Sequence, residues 1–422
     1  MRNTSAPSFI SSKSPLRPSF FFRALMPALA ALSLLPGCQP PPQQAGGNTG
    51  GNTVAGGNAA PTGTASGTGD IAIGEYGGLT GETAGFGKTT HNGIQLALEE
   101  VNAAGGFNGR QLRLFTEDNE SKQEKVPAVV TKLITQNKVV AVLGEVASSR
   151  SIAAAPICER YQIPMISPSS TNTAVTVATG GKVRDYAFRV CFIDPFQGEA
   201  MAKFIRNNLK LDRVAVFRNV KEDYSKGLAD AFTATFTKLG GTITTDRSYA
   251  TGDRDFRAQL TAIKGTNPQA IFVPGYYKEV GLMAQQAKDI GLTVPLAGGD
   301  GWDDPSISGL PAMEGHYFTN HYSVNATDPR SQAFVSAYTK RYNETPNALS
   351  ALGYDAAMLL VDAMKRSKSL NGPDLKEAIA ATKGFAGVTG NITLNEQHNA
   401  VKPAVVIQFK GGKHVVVDSV QP

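Results

Sequence analysis

The stretch VVAVLGEVASSRSIAAAPICERYQIPMISPSST, residues 139–171, decides the fold. VVAVLG is a short unbroken apolar run rich in valine, which suits a strand buried on both faces. SSRSIAAAPICERY reads as a helix, and IPMIS returns to a strand. Strand, helix and strand in about thirty residues make the βαβ unit of a parallel sheet. Its two turns carry Ser148-Ser149 and Pro168-Ser169-Ser170-Thr171.

The alternation extends both ways. Upstream lie DIAIGE as a strand and NGIQLALEEVNAAGG as a helix, with Ile94, Ala97, Leu98 and Val101 on one face before Gly105-Gly106. QLRLFTED then reads as a strand and SKQEKVPAVVTKLITQ as a helix. Downstream the pattern restarts through RVAVFRN, YSKGLADAFTATFTKLG, TITTDRSY, DFRAQLTAIKG, QAIFVPG and YKEVGLMAQQAKDIGL. SQAFVSAYTKRY, ALSALGYDAAMLLVDAMKR and DLKEAIAA are helical runs with few strands between them, so they must pack on an existing sheet. AVVIQF and HVVVD close the chain as a hairpin.

From Asp70 onward 353 residues are too many for one ordinary core and suit two lobes. The expected architecture is α/β, with two doubly wound Rossmann-like lobes. Residues 70–190 plus 320–392 form lobe 1 and residues 191–319 plus 393–422 form lobe 2, joined by a three-crossing hinge. Ligands of such sheets sit outside the C-terminal strand ends.

The N-terminus is of another character. Arg2, Lys13, Arg17 and Arg23 precede the apolar ALMPALAALSLL, with no acid before Cys38, which reads as a secretory signal over residues 1–37. Leu35-Pro-Gly-Cys38 resembles a bacterial lipobox, making Cys38 the expected lipidation site, and Gln39 after it favours the outer membrane in a Gram-negative cell, or the outer face where there is one membrane, so the expected place is the periplasm or the outer cell surface. Residues 38–69 are rich in Gly, Pro, Asn and Thr and read as a disordered tether. A coil of about thirty such residues spans roughly 30 Å.

The chain has 41 Lys and Arg against 35 Asp and Glu, but four of those cations precede Cys38, so the remainder is near neutral. With one Trp and no basic block, nucleic-acid binding is not expected. Cys158 and Cys191 could form a disulfide in an oxidising compartment, although two separate small buried residues are the preferred reading. The five histidines show neither metal-ligand spacing nor a cysteine cluster, so neither a metal site nor a cofactor is expected. No histidine falls in a strand-end loop that can be placed at the cleft.

GETAGFGKT, residues 81–89, comes close to a phosphate-binding loop but has five residues between Gly81 and Gly87 where that loop needs four. It reads instead as a strand-to-helix turn at the mouth of the cleft. At the other strand ends, Ser148 is an expected helix N-cap and carboxylate receptor. Ser169, Ser170 and Thr171 offer three consecutive hydroxyls. Tyr224 and Tyr276 follow second-lobe strands, and Asp300 stands between glycines where it can pair with a ligand ammonium.

Together these motifs resemble type I solute-binding proteins of ABC importers, in particular the Leu/Ile/Val-binding branch. The resemblance rests on GLTGETAGFGKTTHNGIQLALEEVNAAGGFNGRQLRL, GEVASSRSIAAAPICERYQIPMISPSSTNTAVT, DYSKGLADAF, VPGYYKEVG and GGDGWDDPSI. It implies that Ser148 and Thr171 hold the ligand carboxylate and ammonium, with backbone groups of Ser169 and Ser170 sharing the task. Asp300 replaces a longer glutamate, Tyr224 and Tyr276 close over the ligand, and Phe86 and Val146 line an apolar wall. Trp302 has no counterpart in that branch and would narrow or re-aim the pocket. A disulfide found in some relatives is absent, since Asn119 and Ala147 stand there.

The expected function is capture of a branched-chain or other uncharged amino acid by a monomeric, lipid-anchored protein outside the cell membrane, and delivery to the membrane subunits of an ABC importer. The alternatives are binding of urea or short amides, or ligand presentation to a sensor. An enzyme is not expected, because no Gly-x-Ser-x-Gly elbow surrounds Ser148.

Overall fold

The computed structural model describes residues 69–422. The expected signal segment, Cys38, and the tether except Gly69 lie outside the described residues.

The first sheet is built from β1 (Ile71–Gly77), α1 (Ala84–Ala103), β2 (Leu112–Asp118), α2 (Val126–Thr135), β3 (Val142–Leu143), α3 (Ser148–Tyr161), β4 (Met165–Ser167) and β5 (Ala187–Arg189). Its strands are parallel in the order β2-β1-β3-β4-β5. Along β3, β4 and β5, alternate residues enter two different apolar clusters. Leu143, Ile166 and Phe188 face one way, and Val142, Met165 and Ala187 face the other. Both faces are covered by helices, which is why these strands read as continuous apolar runs.

Cys158 on α3 belongs to the second of those clusters and Cys191 to the first. Both are free and buried. No disulfide joins them, because the sheet stands between the two clusters.

The chain then enters a second sheet through α4 (Asp194–Lys203), β6 (Arg213–Asn219), α5 (Asp223–Lys238), β7 (Thr242–Tyr249), α6 (Arg257–Lys264), β8 (Ala270–Phe272), α7 (Tyr277–Asp289), β9 (Leu296–Gly298), α8 (Pro305–Ser308) and β10 (Tyr317–Asn320). It returns to the first core with α9 (Pro329–Tyr342), α10 (Ala348–Arg366) and α11 (Gly372–Ala380). There a small antiparallel sheet forms from β11 (Phe385–Gly387), β12 (Gly390–Leu394) and β13 (Ala400–Val401). The hairpin of β14 (Ala404–Lys410) and β15 (Lys413–Val420) completes the second sheet, in the order β15-β14-β10-β9-β8-β6-β7.

Three crossings therefore connect the lobes. The last lies at Lys402–Pro403 and not at residue 392, because Ile392, Leu394 and Ala400 share one core with Ile71. Strands of two to five residues with turns between them carry too little alternation to reveal that allegiance in sequence.

Helix α10 packs on α1 closely enough that a Cβ on Gly93 would overlap the Ser350 carbonyl. The glycine sets this helix–helix distance, and it holds the N-terminus of α10 against the cleft.

In the second lobe, His316 accepts a hydrogen bond from Leu296 N at Nδ1 (3.2 Å), and burial pushes its imidazolium down to about pKa 4. The unfolded chain therefore binds more protons between pH 6.5 and pH 4. Stability from this group is complete above pH 6.5 and is lost as pH falls through 4. His316→Asn, which keeps an acceptor, should flatten the melting temperature over that window, as read by calorimetry at pH 4.5 and 7. An unchanged slope would show that other groups govern it.

Candidate functional site

The strand-end loops of both lobes meet around a small cavity, with about 220 Å³ of space between atoms when the adjoining solvent is included. Lobe 1 contributes Phe86, Val146, Ser169 and Leu349. Lobe 2 contributes Tyr224, Tyr276, Asp300 and Gly301. Phe86 stands in the first turn of α1, Val146 between β3 and α3, Ser169 after β4, and Leu349 in the first turn of α10. Tyr224 opens α5, Tyr276 precedes α7, and Asp300-Gly301 follow β9.

The lobes are closed on each other. Phe86 meets Tyr276 edge-on, with ring centroids 5.6 Å apart, and Tyr277 at 4.8 Å. Tyr276 stacks in turn on Tyr224 at 5.2 Å. Around these rings, Gly85 N donates to the Tyr277 hydroxyl (3.2 Å), Asn172 Nδ2 to Asp223 O (2.7 Å), and Asp223 N to Ser149 Oγ (2.8 Å). Ala348 N donates to Asp303 Oδ2 (2.7 Å), which ties α10 to lobe 2.

The cavity's polar lining is notable for what it does not bond. Ser169 Oγ, the Tyr276 hydroxyl and Asp300 Oδ1 are buried and have no protein partner. A buried carboxylate oxygen left in this way is costly unless a donor or cation meets it. The other oxygen, Asp300 Oδ2, is held by His321 Nε2 at 3.0 Å.

The remaining expected residues stand behind this surface. Ser148 is not the N-cap of α3; that place is Ala147, and Ser148 is the first helical residue, its Oγ accepting from Asn172 N at 3.2 Å. Ser170 Oγ bonds to Glu145 O (2.8 Å) and Ser151 Oγ (2.7 Å), which locks one strand-end loop to the next. Thr171 Oγ1 accepts from Gln197 Nε2 at 3.3 Å. None of these three hydroxyls lines the cavity.

Trp302 also lies outside the lining. The turn Asp300–Trp302 swings its indole beneath Gly298, where Nε1 donates to Val273 O (3.1 Å) and the ring packs near Phe318. A Cβ on Gly298 would overlap that indole. Trp302 thus supports the lobe-2 strand end from within the core instead of narrowing the pocket.

The placement of His321 corrects the expectation that no histidine reaches the cleft. It directly follows β10, a four-residue strand too short to show a pattern in sequence. Buried Arg189 donates to Ser170 O (2.5 Å) and Asn172 O (2.8 Å), which fixes the hydroxyl-rich turn. Asp194 is pushed up to about pKa 7 by burial, with the Asp300 charge adding to the effect. It does not line the cavity, whose acidic residue is Asp300. Leu349 gave no polar signal, because in sequence it belongs to an apolar helix. Among the described residues, no His, Cys, Asp and Glu group could hold a metal ion, and no helix is long and apolar enough to cross a membrane.

Two lobes joined by three crossings and closed on a cavity with unmatched polar atoms define a hinge-closing binding protein. Residues 70–413 match the model of the periplasmic binding protein family, and the chain belongs to that family. It is a family of solute-binding proteins, exported and not enzymatic, with the two-lobe type I fold. A leucine-, isoleucine-, valine-, threonine- and alanine-binding protein of Pseudomonas aeruginosa is 30% identical over 330 residues, 78% of this chain and 86% of that protein. The solved leucine binding protein LivK of Thermotoga maritima is 39% identical with a TM-score of 0.79, covering 83% of this chain and 99% of its own. The branched-chain amino acid transporter substrate binding protein LivJ of Streptococcus pneumoniae, solved with isoleucine, is 35% identical with a TM-score of 0.77, covering 84% and 100%.

Proposed function

We propose that this protein captures a free aliphatic amino acid of branched-chain size between its lobes and delivers it to an ABC importer. The observation that carries the reading is the set of three unpartnered lining atoms, Ser169 Oγ, Tyr276 OH and Asp300 Oδ1, beside an apolar wall of Phe86, Val146 and Leu349. A ligand ammonium answers the Asp300 carboxylate. Its carboxylate takes the Ser169 and Tyr276 hydroxyls, near the N-terminus of α3. A neutral urea or amide would leave the buried Asp300 charge uncompensated.

Charge-assisted hydrogen bonds contribute about 1.5–3 kcal/mol each. A few of these plus a buried aliphatic side chain reach micromolar affinity, about −8 kcal/mol, after closure is accounted for. The named relatives support the class: one is a leucine binding protein, one was solved with isoleucine, and one is a leucine-, isoleucine-, valine-, threonine- and alanine-binding protein.

Thermal shift with the twenty amino acids, urea and short amides tests the reading. Leucine, isoleucine or valine should give the largest rise in melting temperature. A rise with urea or an amide alone would replace this assignment.

The N-terminal pattern supports export and anchoring through Cys38, with the Gly-rich tether holding the domain clear of the membrane surface. Membrane retention of a Cys38→Ala variant would remove the anchor from the account.

A further inference from the structure

We propose that His321 is the positioning residue for Asp300, a neutral donor that fixes the carboxylate as an amine receptor without cancelling its charge. The inference rests on the amino-acid reading above and goes beyond it by naming what makes the receptor selective for a free amine.

His321 lies at the second crossing, directly after β10, and its side chain is fully enclosed. The ring stacks on Phe192 from the first crossing, with centroids 3.6 Å apart and planes 27° from parallel. Nε2 is 3.0 Å from Asp300 Oδ2, while Nδ1 has no partner at all. A carboxylate can only accept, so Nε2 carries the proton and Nδ1 is bare. Burial holds the imidazolium below its usual range and the Lys402 charge acts in the same direction, against the opposing pull of Asp300 and Asp303.

The division of labour follows from those contacts. One Asp300 oxygen is occupied by a neutral N–H, and the other, on a residue that lines the cavity, has no protein partner. A lysine or arginine in place of His321 would form an ion pair with Asp300 and compete with the ligand ammonium. A neutral donor leaves the full carboxylate charge for the ligand. Because the imidazole stacks on Phe192 of one crossing and itself begins another, it orients the carboxylate from the hinge segments.

Two arms test this. In the first, affinity for L-isoleucine is measured calorimetrically for wild type, His321→Gln, which keeps an N–H at similar reach, and His321→Leu, which removes it. The leucine variant should bind at least about tenfold more weakly and the glutamine variant should recover most of that loss, with similar melting temperatures for both. Equal weakening by both variants, or none by either, overturns the positioning role. Failure of the wild type to bind any amino acid overturns the underlying reading, and is distinguishable because it appears before any substitution. In the second arm, nitrogen chemical shifts of ¹⁵N-histidine-labelled wild type report the tautomer of His321. A neutral ring protonated at Nε2 at pH 7 is expected, and an imidazolium or an Nδ1–H tautomer overturns the proposal whether or not the variants fold.

Discussion

Asp300→Asn should lower affinity for a branched-chain amino acid by roughly a hundredfold or more, which corresponds to about 3 kcal/mol. The substitution keeps the size of the side chain and removes the carboxylate of the one acidic residue that lines the cavity. The ligand ammonium would then be buried against a neutral amide, which compensates a desolvated cation poorly. Ligand-free stability should change by no more than a few degrees in melting temperature, since the wild-type carboxylate oxygen Oδ1 makes no protein contact to lose. Calorimetric titration and a ligand-free melt distinguish the two quantities. Undiminished affinity would mean that the ammonium sits elsewhere.

Gly85→Val addresses closure instead of contact. Gly85 stands in the first turn of α1, and a Cβ there would overlap the Asp304 carboxylate and lie 3.0 Å from the Tyr277 hydroxyl, both on lobe 2. Within lobe 1 a side chain at this helical position costs nothing relative to glycine. The clash therefore exists only in the closed form, where overpacking costs about 1–3 kcal/mol. The expected result is an unchanged ligand-free melt and about tenfold or greater loss of affinity. Small-angle scattering provides an independent reading. The wild type should contract when saturated with ligand, and the variant should remain extended at the same concentration. Equal contraction by both would show that the Gly85 contact does not govern closure.

Much of the architecture was legible because buried parallel strands and amphipathic helices advertise themselves locally. VVAVLG and IPMI are apolar throughout because both faces of the first sheet are covered. The strand ends follow from that, and with them the positions of Phe86, Val146, Ser169, Tyr224, Tyr276 and Asp300, all of which reach the cavity. What sequence reading could not supply depends on direction and on long-range return of the chain. Ser148, Ser170 and Thr171 sit in the expected loops, yet their hydroxyls turn to neighbouring loops and to Gln197. Trp302 is two residues from Asp300 but points to the opposite side of the strand end. Leu349 joins the site only because α10 is brought back to lobe 1 by a crossing, and His321 because the second crossing starts beside Asp300, which no local pattern announces.

The false phosphate motif shows the same distinction. GETAGFGKT provides a turn and the start of α1, and its contribution to the cavity is the phenyl ring of Phe86. Lys88, which a phosphate loop would aim at its ligand, instead pairs with Glu344 at the exposed surface (2.6 Å).

The most direct test of the central claim is a crystal structure of the protein grown with L-isoleucine. The account predicts the amino acid enclosed between the lobes, its ammonium nitrogen about 3 Å from Asp300 Oδ1 and its side chain against Phe86, Val146 and Leu349. An isoleucine bound with its ammonium away from Asp300, or a cavity holding no amino acid at saturating concentration, would contradict it.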